Sequence, residues 1–319
     1  MNKPTKITVM MLGGARRVSM AEQLRKSGQR LDLEVEIVSY ELLRQVPIAA
    51  VAEVVVGLKW SDPGVVDDIV RVARERDVKI LLPFVDGAIE IASRCREKMP
   101  DVFIPVSDFE MASVMFDKVL AAKAFKKAGL PIPTTYSVLN AETPAIAKPR
   151  QGSASRGIKV FENMEDLMHL ANIENYILQE YIANREEYTV DCYVSREGEI
   201  LCAVPRIRLE VMGGEVTRTR TCDIPELAEM SRKVIEAFNL RGPITVQFLR
   251  DLDTDRFLLM EVNPRLGGGV ICSIFAGAPI TDYILRESQG ITLRPCDDWT
   301  AGTLMTRYWK EVIFFDREN

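Results

Sequence analysis

Near the carboxyl end, the stretch LLMEVNPRLGGG sets a carboxylate, an amide and a guanidinium two residues apart, at Glu261, Asn263 and Arg265. Alternation predicts a strand with Leu258, Met260 and Val262 on an apolar face and Leu259, Glu261 and Asn263 on the other. Pro264 removes a ladder donor and ends the strand, and the glycines at 267 to 269 allow a sharp turn or close approach to a ligand. Upstream, PITVQFLRD turns Thr245, Gln247 and Leu249 away from an apolar face of Ile244, Val246 and Phe248. The tight turn DLDTD makes the two strands antiparallel neighbours and brings Gln247 close to Glu261 and Asn263. One carboxylate and two amide oxygens suit Mg²⁺, which takes oxygen ligands and keeps several waters, with Mn²⁺ as the alternative ion. Arg265 then stands at the mouth, placed to hold an anionic intermediate.

Three further groups carry candidate chemistry. In AIAKPRQGSASRGIKVF a strand delivers Lys148 ahead of a small-residue loop that holds Ser153. Free backbone N–H groups beside a lysine suit a polyphosphate, and a plain surface hairpin is the other reading. In ILQEYIANREEYTV two strands are joined by a short loop with Glu180 and Glu187 at its ends. A strand edge can hydrogen-bond a flat base and a carboxylate can take ribose hydroxyls, while a solvated sheet rim explains the same residues blandly. Arg206 and Arg208 share one strand face, Arg218 and Arg220 another, and MGGE joins the strands as a hairpin. Such close arginines suit an anionic substrate or acyl phosphate, and a solvated charged face is the alternative. The single histidine, His169, has no evident partner, which excludes chemistry that needs several imidazoles.

These residues need a scaffold, and the composition supplies one. The chain has 319 residues, 47% of them apolar and 27% charged, enough for two or three domains around a buried core. A net charge of -5 argues against a nucleic-acid surface as the main activity. No apolar run reaches membrane-spanning length and no signal-peptide pattern opens the chain, so a cytoplasmic protein with neither membrane nor nucleic-acid partner is expected. Cys95, Cys192, Cys202, Cys222, Cys272 and Cys296 are scattered, which predicts reduced thiols and no zinc site.

The first third alternates strand and helix: KITVMML, a helix RVSMAEQLRKSG ending at Gly28, LEVEIVS, EVVVG, a helix in PGVVDDIVRVARERD, KILLPF, a helix in DGAIEIASRCREK, and VFIPVS as closing strand. That rhythm predicts an α/β, doubly wound parallel sheet. The first strand is followed by GGARR, not G-x-G-x-x-G, and the second finishes in Ser39 and Tyr40 without an acid, so a scaffold or substrate-side domain is expected rather than a nicotinamide site. Helices follow in DFEMASVMFDKVLAAKAFKKAG. Strands and turns then dominate from 145 to 222, with one short helix from Glu162 to Ala171. A helix from Pro225 to Phe238 precedes the candidate metal strands, and APITDYILRESQG and TLMTRYW close the chain as helix and strand.

Taken in order, the lysine before a helix, Lys148 before its loop, QEYI, the EY strand, Gln247, and EVNPR followed by glycines resemble the ATP-grasp superfamily. The wording is closest to the carboxyphosphate-forming halves of the carbamoyl phosphate synthetase large subunit and related carboxylate–amine ligases. The resemblance covers roughly residues 105 to 319. It implies a pre-ATP-grasp domain over 1–106 and a two-lobed, α+β ATP-grasp domain over 107–319, with a nucleotide-lid lobe near 144–183 and a metal lobe near 184–319. By the same resemblance, Lys118 and Lys148 are nucleotide-phosphate ligands, and Ser153 of the small-residue loop also binds the nucleotide. Glu180, Tyr181 and the backbone of Ile182 contact adenine, and Glu187 takes the ribose. Gln247, Glu261 and Asn263 hold the metal, and Arg265 with Lys148 stabilises the transferred phosphoryl group.

The implied activity uses ATP and Mg²⁺ to phosphorylate a small carboxylate and couple it to an amine, with a homodimer as one arrangement open to the protein. Two other readings are a non-catalytic ATP sensor or scaffold and a carbamoyl phosphate synthetase-like subunit. The sequence is too short for both phosphorylating halves and has no Cys–His amidotransferase pair, so the latter requires a partner.

Overall fold

The structure, a computed structural model, describes residues 4–152 and 156–315. The first part is a parallel sheet of β1 (Thr5–Leu12), β2 (Leu33–Glu41), β3 (Glu53–Val56) and β4 (Val78–Pro83) in the order β3-β2-β1-β4. Its helices are α1 (Val18–Arg30), α2 (Val65–Glu75) and α3 (Asp86–Lys98). The pattern of α2 explains its placement. Val65, Val66, Ile69, Val70 and Ala73 recur at helical spacing and are buried, with Asp67 and Asp68 in the first turn and Arg74 in the last. Helix α1 does not stop at Gly28 as expected. A side chain at Gly28 would stand 2.5 Å from Val35 of β2, so that glycine lets the helix lie close on the sheet instead of ending it. The closing strand expected at VFIPVS shrinks to a single parallel bridge between Phe103 and Ile80, since Pro105 cannot donate.

Helices α4 (Phe109–Phe116) and α5 (Lys118–Lys127) lead to a second sheet, antiparallel, of β5 (Thr135–Tyr136), β6 (Ala145–Pro149), β7 (Lys159–Phe161) and β8 (Tyr176–Glu180), in the order β5-β8-β6-β7. Its short helix α6 is Met164–Met168, inside the wider span expected. The third sheet is antiparallel and holds β9 (Arg185–Val194), β10 (Ile200–Met212), β11 (Glu215–Thr221), β12 (Gly242–Asp251), β13 (Arg256–Asn263) and β14 (Leu304–Thr306). Helix α7 (Pro225–Ala237) precedes β12, and α8 (Val270–Phe275), which was not expected, and α9 (Ile280–Ser288) follow β13.

The two faces of the third sheet do different work. Tyr188, Val190 and Cys192 of β9 and Ile244, Val246 and Phe248 of β12 pack on Leu227, Val234 and Ile235 of α7 and on Phe125 of α5. From the other face, Tyr193, Leu201 and Val204 join one continuous core with Val9, Leu24 and Ile37 of the first sheet and with Ile280 and Ile284 of α9. Ser27 Oγ also donates to Thr281 Oγ1 at 2.7 Å across that seam. One face of the N-terminal sheet therefore shares its core with the C-terminal helices. The other closes on α2 and α3.

The turn between β12 and β13 is locked by Asp251. Its carboxylate accepts from the Thr254 hydroxyl at 2.6 Å, the Arg256 guanidinium at 3.0 Å and the Asp253 N–H at 3.0 Å. The Thr254 hydroxyl first, then Arg256, hold this carboxyl down to about 2, against 3.8 ordinarily. A carboxylate depressed in the folded state contributes stability above its unfolded pKa and loses it as pH falls toward the folded value. Replacing Asp251 by Asn is expected to lower stability at neutral pH and to flatten its decline between about pH 4 and pH 2 relative to the wild type. Denaturant unfolding at stepped pH reads this, and identical slopes in both proteins would refute it.

Candidate active site

Between the second and third sheets lies a cavity of about 510 Å³, within the size range of small-molecule sites. The strands around it supply its polar groups. Gln247 on β12 pairs directly with Glu261 on β13, and Thr245 with Asn263. The expected alternation of β13 fails at one point. Registration slips between Gln247 and Phe248, where Met260 is an extra residue, a β-bulge. Phe257 and Leu259 before it and Val262 after it enter the core with α7, while Met260, Glu261 and Asn263 line the cavity. Met260 is thus a cavity residue, not part of the apolar face. The bulge lets apolar residues on both sides of it reach the same core while Glu261 and Asn263 face the ligand side.

Both amide oxygens point at cations. Gln247 Oε1 accepts from Arg208 at 2.5 Å, and Asn263 Oδ1 from Arg265 at 3.4 Å. Arg208, expected to meet an anion, does line the cavity. It lies among the cavity walls beside Glu187, with Nε 3.5 Å from a Glu187 oxygen but in poor alignment. Among the described residues, that Nε is the one buried side-chain nitrogen or oxygen without a hydrogen-bond partner. Burial pushes the guanidinium pKa down, opposed by Glu187.

Lys148 reaches in from β6, donating to Gln179 Oε1 at 3.0 Å. Burial pushes its ammonium down to about 8, despite the opposing pull of Glu261 and Glu187. Lys118 opens α5, its Nζ donating to the Gly152 carbonyl at 2.8 Å. Asp117 caps that helix through the Val119 and Leu120 N–H groups and is gripped by Arg150, which follows β6. The two lysines are thus tied to one frame. Ser153 lies outside the described residues.

The joint between the sheets is residues 181–184. Tyr181 N–H donates to the Pro144 carbonyl at 3.1 Å and Arg185 to the Ile182 carbonyl at 2.7 Å. Glu180, Tyr181, Ile182 and Glu187 all border the cavity. One Glu180 oxygen is already engaged by the Thr134 N–H at 2.8 Å, which leaves less of that carboxylate for a ligand. Ile146, Ile158, Val160, Ile177, Leu249 and Met260 are apolar side chains that border the same cavity, and an apolar lining accepts a flat ring.

The four-arginine cluster does not assemble. Arg206 is 2% exposed and bonded through Nε to Asp191 at 2.8 Å, with Ser273 also donating to Asp191. It is a buried ion pair at the cavity wall, not a free anion receptor. Arg218 and Arg220 lie on the other face of the hairpin. Arg220 stands opposite Ile207, and both arginines are exposed and outside the cavity lining. The reason is strand period: residues 206 and 208 share a face with Thr221 and Thr219, not with their arginine neighbours.

Sequence reading missed two cavity residues, Arg17 and Asp86. Asp86, the first residue of α3, takes Arg265 at 2.6 Å, so a helix of the first sheet completes the arginine's setting. Only the FVDG wording before a helix hinted at it. The acid said to be missing from the end of β2 is also present. Strand β2 runs to Glu41, whose carboxylate accepts from Ser39 at 2.6 Å and from the N–H groups of Gly14 and Ala15. Those loop donors are where a dinucleotide phosphate would otherwise bind, and they are taken by the protein itself.

One parallel sheet and two antiparallel sheets in this arrangement make up the ATP-grasp fold. N5-carboxyaminoimidazole synthetase from Staphylococcus aureus, complexed with ADP, superposes with a TM-score of 0.74 at 18% identity, covering 92% of this chain and 80% of that one. The biotin carboxylase β-γ-ATP complex from Campylobacter jejuni superposes with a TM-score of 0.71 at 18% identity, covering 92% and 73%. At these identities the likeness speaks for fold alone. In sequence, residues 172–306 match the family described as ATP-grasp in the biosynthetic pathway with Ter operon. The carbamoyl phosphate synthase large chain of Methanobrevibacter smithii is 21% identical over 265 residues, 73% of this chain and 25% of that one. The corresponding chain of Thermotoga maritima is 21% identical over 289 residues, covering 80% and 26%. This chain spans about a quarter of the length of those curated relatives. The resemblance to the ATP-grasp superfamily therefore holds in both fold and sequence.

The Arg206–Asp191 pair gives a direct check on this geometry. Arg206→Ala leaves a buried carboxylate unpaired and is expected to destabilise the protein by roughly 3–5 kcal/mol. Urea unfolding measures it, and a change below about 1 kcal/mol would mean the pair is solvated.

Proposed function

We propose that the chain is an ADP-forming ATP-grasp ligase that activates a small carboxylate as an acyl phosphate and passes it to an amine or similar nucleophile. The observation that carries this reading is convergence: Lys148, Arg208, Gln247, Glu261, Asn263 and Arg265 border one cavity from two sheets. Lys118 and Lys148 are assigned to the phosphates. The apolar lining takes the base, and Glu187 takes the ribose. The unpartnered Arg208 Nε fits a phosphate oxygen, as does a lysine whose buried charge lacks full compensation. Gln247, Glu261 and Asn263 present oxygens that suit Mg²⁺, and one carboxylate suffices because phosphate oxygens complete the shell. When bound, Mg²⁺ supplies neutralisation of the developing phosphate charge.

In the proposed reaction a substrate carboxylate oxygen attacks the γ-phosphorus, the bond to the β-phosphate oxygen breaks, and ADP leaves. The nucleophile then attacks the acyl carbon, inorganic phosphate departs with its electron pair, and the amine's proton passes to solvent. Such transfer depends on positioning and charge more than on a protein nucleophile. The residues named do that work. Arg265, held by Asp86, faces the charge that forms, and the burial of Lys148 and Arg208 strengthens their pull on it.

The purified chain with Mg²⁺, ATP and a panel of small acids and amines is expected to release ADP only when a competent acid is present. Arg265→Ala should lower kcat by about 10²-fold or more, as loss of one preorganised donor does. ADP bound but never released from ATP across the panel, with binding unchanged by Glu261→Gln, would instead identify a nucleotide sensor. The lysine adds a pH signature. Lys148 is a cation below about 8 and neutral above it, so ADP affinity is expected to fall as pH rises through about 8. Lys148→Arg, which stays charged, should keep that affinity level over the same range. An unchanged wild-type affinity across this window would show that Lys148 does not meet the phosphates.

A further inference from the structure

The cavity has a second end that the nucleotide assignment leaves unused. It is bordered by Arg17, Phe84, Val85, Asp86, Glu215, Arg265 and the glycines at 267 to 269. Arg17 comes from the GGARR loop after β1, the loop whose N–H groups hold Glu41. That anchoring fixes the loop, and the Arg17 carbonyl accepts from the Met20 and Ala21 N–H groups as α1 begins. The side chain is only 15% exposed.

Charge at this end is unbalanced. Glu215 is gripped by Arg307 at 2.7 Å, while its contacts with Arg17 are long, at 3.3 and 3.4 Å. Asp86 is committed to Arg265. Among the described residues, the three guanidinium groups here meet two carboxylates, which leaves one positive charge without a counterion. Burial pushes the Arg17 pKa down, with Arg265 and Arg307 adding to the effect and Glu215 opposing it. A second observation concerns Gly268. A Cβ placed there would stand 3.1 Å from Arg17, 3.3 Å from Arg307 and 3.5 Å from a Glu215 oxygen. The glycine keeps the floor between these charged groups open, and the Arg307 guanidinium donates to its carbonyl.

We propose that Arg17, above Gly268 and beside Arg265, is the seat of the acid substrate's carboxylate. The seat rests on the ligase reading for its role, but its binding chemistry is independent of it. An anion between Arg17 and Arg265 supplies the missing countercharge and gains charge-assisted hydrogen bonds in a partly desolvated site. Arg265 also touches Asn263 of the metal strand, so an acid held here lies next to the phosphoryl-transfer groups. Arg17 is then a specificity residue for the acid and has no part in holding the nucleotide.

The test uses the full chain and two probes. A fluorescent N-methylanthraniloyl ADP with Mg²⁺ reports the nucleotide end. Acetate, glycine, L-aspartate, L-glutamate and citrate, titrated calorimetrically with and without Mg²⁺-ADP, report the seat. At least one acid is expected to bind, and Arg17→Ala should weaken it roughly tenfold or more, while nucleotide affinity stays within about twofold. Gly268→Ala, which removes no charge and fills the floor, should weaken the same acid and serves if Arg17→Ala fails to fold. Equal acid affinity in wild type and variants, or no acid bound by the wild type, overturns the seat. Failure of the wild type to bind the nucleotide while an acid still binds through Arg17 sinks the ligase reading and leaves the seat standing.

Discussion

The pairing of β12 with β13 is the constraint on which the cavity depends. It starts at a turn fixed by the Asp251 carboxylate and runs in strict register until the bulge at Met260. In a regular strand without the bulge, Glu261 would share the face of Leu259 and point into the core with α7, where an unpaired carboxylate is costly. With it, the core keeps Phe257, Leu259 and Val262, and the cavity gains Glu261 beside Gln247 and Asn263 beside Thr245. A bulge next to a site re-aims side chains that simple alternation would bury.

The second dependence is between the first sheet and the third. Arg265 leaves β13 and meets Asp86 at the start of α3, and Arg17 crosses from the β1 loop to Glu215 on β11. These contacts are held by an apolar seam in which α1 and α9 pack together and Leu24 and Ile37 share a core with Ile280 and Ile284. The N-terminal sheet and its loops are therefore a wall of the cavity, not an appendage. Its glycine loop is internally satisfied by Glu41, and Arg17 from the same loop lines the cavity.

Much of this was legible in the sequence because local pattern carries it. The βαβ rhythm, the alternation of Ile244, Val246 and Phe248, and the turn signal in DLDTD place the sheet elements and put Gln247 next to Glu261. What was not legible is long-range or irregular. Alternation cannot reveal a bulge, so Met260 was assigned to the wrong face. A pair of arginines two apart looks the same on either side of a hairpin, so Arg206 was read as a receptor when Asp191 neutralises it, and Arg218 and Arg220 were grouped with it though they face outward. Asp86 and Arg17 are distant in sequence from β12 and β13, and only the fold brings them to the cavity. Gly28 read as a helix stop when it is a packing contact, because the two uses of glycine share one signal.

The central claim is that β12 and β13 together hold a divalent ion against the nucleotide phosphates. Crystals grown with Mn²⁺ and ADP and measured at the manganese absorption edge test it most directly. The account predicts an anomalous peak in direct coordination with Gln247, Glu261 and Asn263, next to the terminal phosphate. A peak coordinated elsewhere, or bound ADP with no manganese between those strands, would contradict it.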